Sequence, residues 1–320
     1  MCFLIIGAGA IGGVVGGFLQ QAGHQVELLG RARHLDTIRE NGLRISGIWG
    51  NHTIHGMGLH TNPDSIPQVD YDAVIICVKS YATAEAAQLA ARFAGSDTLV
   101  VAYQNGLGNA ERIADAVGWD RTVGVRAIYG VRIDTPGCAE VTVIAAPTAI
   151  GMYRPEAATP ARQAQVLQLV AAMESAGLPT VAVEHVSTVL WAKVAYNAAL
   201  NPLSALLDVP YGALPKSPDT RAIMEQVIDE LYAVATAMRV ALAPATAAAY
   251  KEHFYNDLVP PTAAHYASMR EDLRLGRRTE IDALNGAVVA FGKQYGVACP
   301  TNEFLTRVIH GHEMLRGGLR

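Results

Sequence analysis

Only four cysteines occur in 320 residues, Cys2, Cys77, Cys138 and Cys299, widely spaced and without a Cys-x-x-Cys pair. A disulfide scaffold is excluded, and a reducing cytoplasm is the compartment that fits. Aromatic residues are scarce at 7%, while 51% of the chain is hydrophobic and 30 residues are glycine. Small apolar side chains in that proportion favour close backbone packing over global disorder. The net charge of -4 supplies no basic field for nucleic acid or an anionic membrane, so small molecules are the expected partners. Ten histidines form no His-Glu-x-x-His pattern, and His310-Gly311-His312 stands without an obvious carboxylate partner, so no metal site is expected. No Gly-x-Ser-x-Gly elbow supports hydrolase chemistry.

Charge is also missing from Met1 to Gly23, which contains no Lys, Arg, Asp or Glu. Such a run invites a signal-peptide or membrane-span reading. Against it stand the lack of a basic residue ahead of the run, the six glycines between Gly7 and Gly17, and the ending in Gln20-Gln21. The spacings Gly12-x-x-x-Gly16 and Gly13-x-x-x-Gly17 serve contact of a helix with a sheet as well as contact within a membrane.

A chain of 320 residues is long enough for two domains. Phe3–Ile6 and Val26–Leu29 are short apolar runs of the buried parallel-strand kind, and Ile11–Ala22 between them is helical up to Gly23. Strands are expected at Ala73–Val78, Thr98–Tyr103 and Thr122–Ile128, with helices at Ala82–Phe93 and Asn109–Val117. The β-branched pattern Glu140–Ile150, a helix Pro160–Ala176 and a strand Thr180–Val183 follow. Beyond them only helical periodicity remains: Val186–Leu207, Asp219–Ala237, Ala243–Asn256, Ala263–Leu275 and Glu280–Tyr295. The expected architecture is a mainly parallel α/β domain of the Rossmann type over 1–184, followed by an all-helical domain over 185–320.

Gly7-Ala8-Gly9-Ala10-Ile11-Gly12 lies between the first strand and its helix, the context in which this glycine spacing binds a dinucleotide. Gly7 permits the turn, Gly9 lets the backbone approach a pyrophosphate at the helix N-terminus, and Gly12 brings helix and strand together. Glu27, twenty residues after Gly7, suggests a partner for the NAD ribose. It stands inside the second strand, however, and the strand's carboxyl end reads Gly30-Arg31-Ala32-Arg33. A guanidinium there suits the 2′-phosphate of NADP(H); the alternative is that Arg31 and Arg33 are solvated loop charges.

Ligands of open α/β sheets gather beyond the carboxyl ends of the strands. Lys79 and Asn105-Gly106 occupy such positions, to contact cofactor or substrate or simply to cap the following turn. In the helical half, Lys193, Asn197 and Asn201 recur every four residues beside apolar Leu190, Val194, Ala198 and Leu203. On a helix they form one polar ridge, expected to face a cleft. Pro202 should disturb this helix and leave a carbonyl near Ala198 without its usual donor.

These features together resemble the ketopantoate reductase family, the NADPH-dependent 2-dehydropantoate 2-reductases of pantothenate biosynthesis. The resemblance spans essentially the whole chain: the glycine motif, Val78-Lys79-Ser80, Asn105-Gly106, Lys193 to Leu203, Ser268-Met269, and Thr279-Glu280-Ile281-Asp282 followed by Asn285-Gly286. It implies a cytoplasmic enzyme, compatible with a homodimer, that reduces a 2-oxo acid. Lys193 would be the general acid, and Glu280 would bind the substrate hydroxyl and help set the lysine's protonation. Asn197, Asn201 and Ser268 would hold substrate oxygens, with Lys79 and Asn105 bridging cofactor and substrate. Glu280 directly follows Thr279 at the start of an expected helix, whose dipole would favour its carboxylate; a plain helix-end charge is the alternative. The chain departs from the family at Ala267, where many members carry a second serine, at His265-Tyr266, and in the bulky loop Ile48 to His52. Those departures bear on the choice of substrate.

Overall fold

The structure, a computed structural model, describes residues 1–317. By compactness the chain forms two units, Met1–Asn105 with Asn109–Val186, and Gly106–Gly108 with the chain from Ser187 onward.

The first unit begins β1 (Cys2–Ile6), α1 (Ala10–Gln21), β2 (Gln25–Leu29), α2 (Ala32–Asn41), β3 (Leu43–Gly47), β4 (His52–Ile54), β5 (Gly58–His60). It continues β6 (Ala73–Ile76), α3 (Thr83–Phe93), β7 (Leu99–Ala102), α4 (Asn109–Val117), β8 (Thr122–Thr135), β9 (Cys138–Met152), α5 (Pro160–Ser175), β10 (Thr180–Ala182). The ten strands form one sheet in the order β4-β3-β9-β8-β7-β6-β1-β2-β5, with β10 also on β9. Pairing is parallel except at β8-β9 and β3-β4.

Continuous apolar runs in β1, β6 and β7 are buried because helices cover both faces. Phe3 and Ile5 pack in one core with Val14, Val15 and Phe18 of α1 and Leu169 and Met173 of α5. Leu4 and Ile6 pack in another with Ala86, Ala90 and Phe93 of α3 and Ile113 of α4. The long hairpin β8-β9 shifts register at several points, and β9 pairs along one edge with both β3 and β10. This curl encloses α1. A Cβ on Gly16 would lie 2.8 Å from Leu28 and 2.9 Å from Ile5, and one on Gly17 would lie 2.9 Å from both Leu43 and Ile54. The paired glycines thus serve two sheet contacts, on two adjoining faces of one helix.

The second unit is helical: α6 (Val186–Leu207), α7 (Pro218–Ala237), α8 (Ala247–His253), α9 (Ser268–Arg274), α10 (Asn285–Tyr295) and α11 (Pro300–Gly317). Among the described residues no helix is long and apolar enough to cross a membrane.

Several elements differ from expectation. The stretch 32–60 holds one helix and three short strands, and α11 follows the last helix read from periodicity. The expected helix 263–275 is confined to α9, because the carbonyls of Ala263 and His265 accept from Gly212 N and Tyr211 N at 2.9 Å. That interstrand-like pairing replaces the bonds a helix would make. The expected helix from Glu280 is a 3₁₀ turn, Ile281–Ala283, and α10 starts only at Asn285.

Candidate active site

The glycine motif meets its geometric requirements one residue at a time. Gly7 adopts φ +109°, and a Cβ there would lie 2.7 Å from Val78 N. Gly12 is closed in further, with a hypothetical Cβ only 2.1 Å from Gly7 O. Gly9 is the opposite case: it caps α1, is exposed, and a Cβ there would meet nothing within 4 Å. The first turn of α1, beginning Ala10-Ile11, has no side-chain cap and no acidic residue. An open approach over Gly9 toward backbone N–H groups suits a pyrophosphate.

The amides of Gly7 and Ala8 both donate to Leu29 O at 2.9 Å, which fixes the loop beside the end of β2. Gly30 continues this contact, since a Cβ there would lie 2.6 Å from Ala8 Cβ. Arg31 then caps α2, and both Arg31 and Arg33 are exposed. Neither guanidinium forms an ion pair among the described residues. Glu27 is engaged elsewhere: it stands opposite Leu4 in mid-strand, with Oε2 2.5 Å from His60 Nε2. The residues present therefore fit a dinucleotide with a charged group near Arg31.

Lys79 and Asn105, both exposed, follow β6 and β7. Beneath them runs a buried polar network that periodicity does not reveal. The Thr83 hydroxyl lies 2.8 Å from Ser80 O and from Asn109 Oδ1, and Gln104 Nε2 donates to Thr83 Oγ1 at 2.8 Å. Asn109 Nδ2 donates to Asn105 O at 2.9 Å. Thr83 and Asn109 thus tie the loop bearing Lys79 to the loop bearing Asn105. The only sequence signal for it is the polar cluster immediately after an apolar strand.

In the second unit α6 is one helix of 22 residues with Pro202 inside it. Lys193 and Asn197 are half-buried and Asn201 is buried. The helix therefore continues through the proline, and the Ala198 carbonyl accepts from Asn285 Nδ2 at 3.1 Å instead. Tyr211 OH donates to Asn201 Oδ1 at 2.6 Å, so the amide nitrogen of Asn201 is directed away from that contact. Burial raises the Tyr211 phenol well above its ordinary range and keeps it a donor.

Ser268 is exposed at the start of α9. Ala267 is 2% exposed, and its amide donates to Ser204 Oγ at 3.3 Å, so this departure from the family faces the core beside α6. Glu280 is half-buried and precedes the 3₁₀ turn rather than a long helix, so the helix-dipole argument for its carboxylate does not apply. Thr279 makes the local cap, accepting from Ile281 N at 3.2 Å. The carbonyl of Ala283 accepts from Leu107 N at 2.8 Å. His310 does have a carboxylate partner: its Nε2 is 2.9 Å from Asp282 Oδ1. The arginines near α9 are paired as a charged face, Arg274 with Glu271, Arg277 with Asp272 and Arg278 with Asp282, while Arg270 reaches Asp208.

Comparison with known proteins shows the family. Residues 3–155 match the family described as ketopantoate reductase PanE/ApbA, and residues 185–313 match its C-terminal counterpart. A 2-dehydropantoate 2-reductase of Aquifex aeolicus is 38% identical over 98% of this chain and 97% of its own length. Among solved structures, a ketopantoate reductase of this family from Ralstonia eutropha superposes with a TM-score of 0.86 at 29% identity, covering 99% of both chains. A D-mandelate dehydrogenase solved with NADH and anilino(oxo)acetate has the same TM-score at 25% identity, covering 98% of this chain and 99% of its own. The chain belongs to the ketopantoate reductase family and is an oxidoreductase acting on CH–OH groups.

Proposed function

We propose that the chain reduces 2-dehydropantoate to pantoate with NADPH, in the cytoplasmic route to pantothenate and coenzyme A. The observation that carries this is the ridge of Lys193, Asn197 and Asn201 on an unbroken α6, a cation and two amides on a face otherwise surrounded by apolar side chains. Bound NADPH supplies hydride to the ketone carbon. The Lys193 ammonium protonates the oxygen as it gains negative charge; general acid catalysis of this kind is worth about 10²–10⁴-fold. Glu280 binds the substrate hydroxyl and helps set the protonation of Lys193, while Asn197, Asn201 and Ser268 hold substrate oxygens. Gly7, Ala8, Gly9, Ala10, Ile11 and Gly12 hold the pyrophosphate, Arg31 the 2′-phosphate, and Lys79 and Asn105 contact both cofactor and substrate.

NADPH consumption with 2-dehydropantoate and a panel of other 2-oxo acids tests this. No turnover of any 2-oxo acid would sink it. A second reading keeps the chemistry and changes the acid. It draws on the likeness to the D-mandelate dehydrogenase; Ala267 adds nothing to it, because that residue is buried against α6. A preference of more than about tenfold in kcat/KM for another acid would establish it.

A further inference from the structure

We propose that Asn285 is a positioning residue for the proposed reaction: it replaces the helical hydrogen bond that Pro202 removes and so fixes the Lys193 ridge relative to the segment bearing Glu280. The proposal rests on the function given above for its catalytic half, and on geometry alone for its structural half.

Proline at 202 has no N–H, so the carbonyl four residues earlier, at Ala198, loses its usual donor. Ala198 is fully buried, and an unpaired carbonyl there would be costly. The Asn285 amide, also fully buried, supplies the donor from the first residue of α10 at 3.1 Å. Ala198 directly follows Asn197 and lies between Lys193 and Asn201. Asn285 comes five residues after Glu280. One side chain therefore links the backbone of the ridge to the segment that carries the carboxylate.

The orientation of this amide is determined from outside. The Glu230 carboxylate accepts from Thr301 N at 2.8 Å, Asn302 N at 2.9 Å and Asn302 Nδ2 at 2.6 Å. A carboxylate so placed accepts and cannot donate, so the nitrogen of Asn302 must face it, and Asn302 Oδ1 is left to face Asn285. Asn285 Nδ2 meets that oxygen at 3.0 Å, so both of its protons are used, one on Asn302 and one on Ala198. The chain Glu230, Asn302, Asn285, Ala198 runs in one direction through buried groups, where each bond polarises the next. Aspartate at 285 would keep the shape and lose the donor; a proline-free helix would not need it.

The test is a double-mutant cycle with Pro202→Ala and Asn285→Ala, read in melting temperature and in kcat, KM and NADPH affinity. Pro202→Ala returns an N–H to the helix. Asn285→Ala in the native background is expected to lower Tm and to reduce kcat by about 10–100-fold, the scale of a small misplacement, with NADPH affinity unchanged. In the Pro202→Ala background the same change should cost less than about threefold in kcat and a smaller drop in Tm. Equal Tm losses in both backgrounds would overturn the replacement of the helical bond, whatever the substrate. Coupled Tm losses with no coupled loss of kcat in an active enzyme would overturn the positioning role. Absence of turnover by the unmodified chain would instead count against the proposed function, and the Tm cycle would still decide the structural claim. If Asn285→Ala does not fold, Asn285→Leu removes the donor while keeping a side chain branched at the same carbon and burying no charge, and is read in the same way.

Discussion

His60 and Glu27 form a closed pair, with Nε2 and Oε2 2.5 Å apart, on neighbouring parallel strands β5 and β2. The acid that a residue count would assign to a ribose is thereby engaged in the sheet. A Cβ on Gly58 would lie only 1.5 Å from that carboxylate oxygen, so glycine leaves the room it occupies.

Cofactor preference should therefore depend on Arg31 and not on Glu27. Arg31→Ala is expected to weaken NADPH by about 10–100-fold, the worth of a charge-assisted hydrogen bond or two, and NADH by less than about threefold. Glu27→Gln should leave the ratio of the two affinities unchanged. Fluorescence titration with each nucleotide checks both; equal weakening of NADPH and NADH by Arg31→Ala would remove the 2′-phosphate assignment.

Gly9 and Gly12 should separate binding from folding. A methyl at Gly9 meets nothing within 4 Å, so Gly9→Ala should leave Tm nearly unchanged while lowering affinity for NADPH. At Gly12 the added carbon would be 2.1 Å from Gly7 O, so Gly12→Ala should lower Tm by several degrees as well. Matched thermal melts and nucleotide titrations read this contrast. A large Tm loss in Gly9→Ala would contradict the open approach.

Lys193→Ala should lower kcat by about 10²–10⁴-fold and leave NADPH affinity within about twofold, because the group is assigned to proton transfer and oxyanion stabilisation alone. Stopped-flow turnover together with a binding titration tests it, and a comparable loss of NADPH affinity would point to a structural part for the lysine instead.

Acid should loosen the start of α2 through His34. Its Nδ1 accepts from Gly137 N at 3.0 Å, and burial lowers its pKa below the usual 6.5. The folded chain thus favours neutral His34. The stability this group confers is complete above pH 6.5 and is lost as pH falls through the depressed folded pKa. Tm measured against pH should fall more steeply below 6.5 for the native chain than for His34→Gln. Parallel slopes for the two would refute it.

The legible parts of the molecule are those in which one residue carries its own stereochemical consequence. Gly7, Gly9 and Gly12 declare a turn, an opening and a close contact, and the structure gives each that environment. Pro202 likewise announces a carbonyl in need of a donor. What the sequence conceals is the donor itself, since Asn285 lies 87 residues away and nothing local connects the two. The same limit applies to β5, whose three residues are too few for a periodic signal. Segment 263–267 has helical composition, yet the carbonyls of Ala263 and His265 are taken by Gly212 and Tyr211, so the tertiary partner overrides propensity.

The two-sided enclosure of α1 also sets an order on assembly. Its β1 and β2 side can close within the first thirty residues, but β3 is held in the sheet by Cys138 to Val141 of β9, roughly a hundred residues later. During synthesis the nucleotide loop would therefore emerge early and remain half-clad until β9 arrives. Long-range closure of this kind is slow because the loop entropy must be overcome before the contacts form. A piece of this chain that ends before β9 leaves β3 without its parallel neighbour, so the covering of α1 depends on residues far beyond the glycine motif.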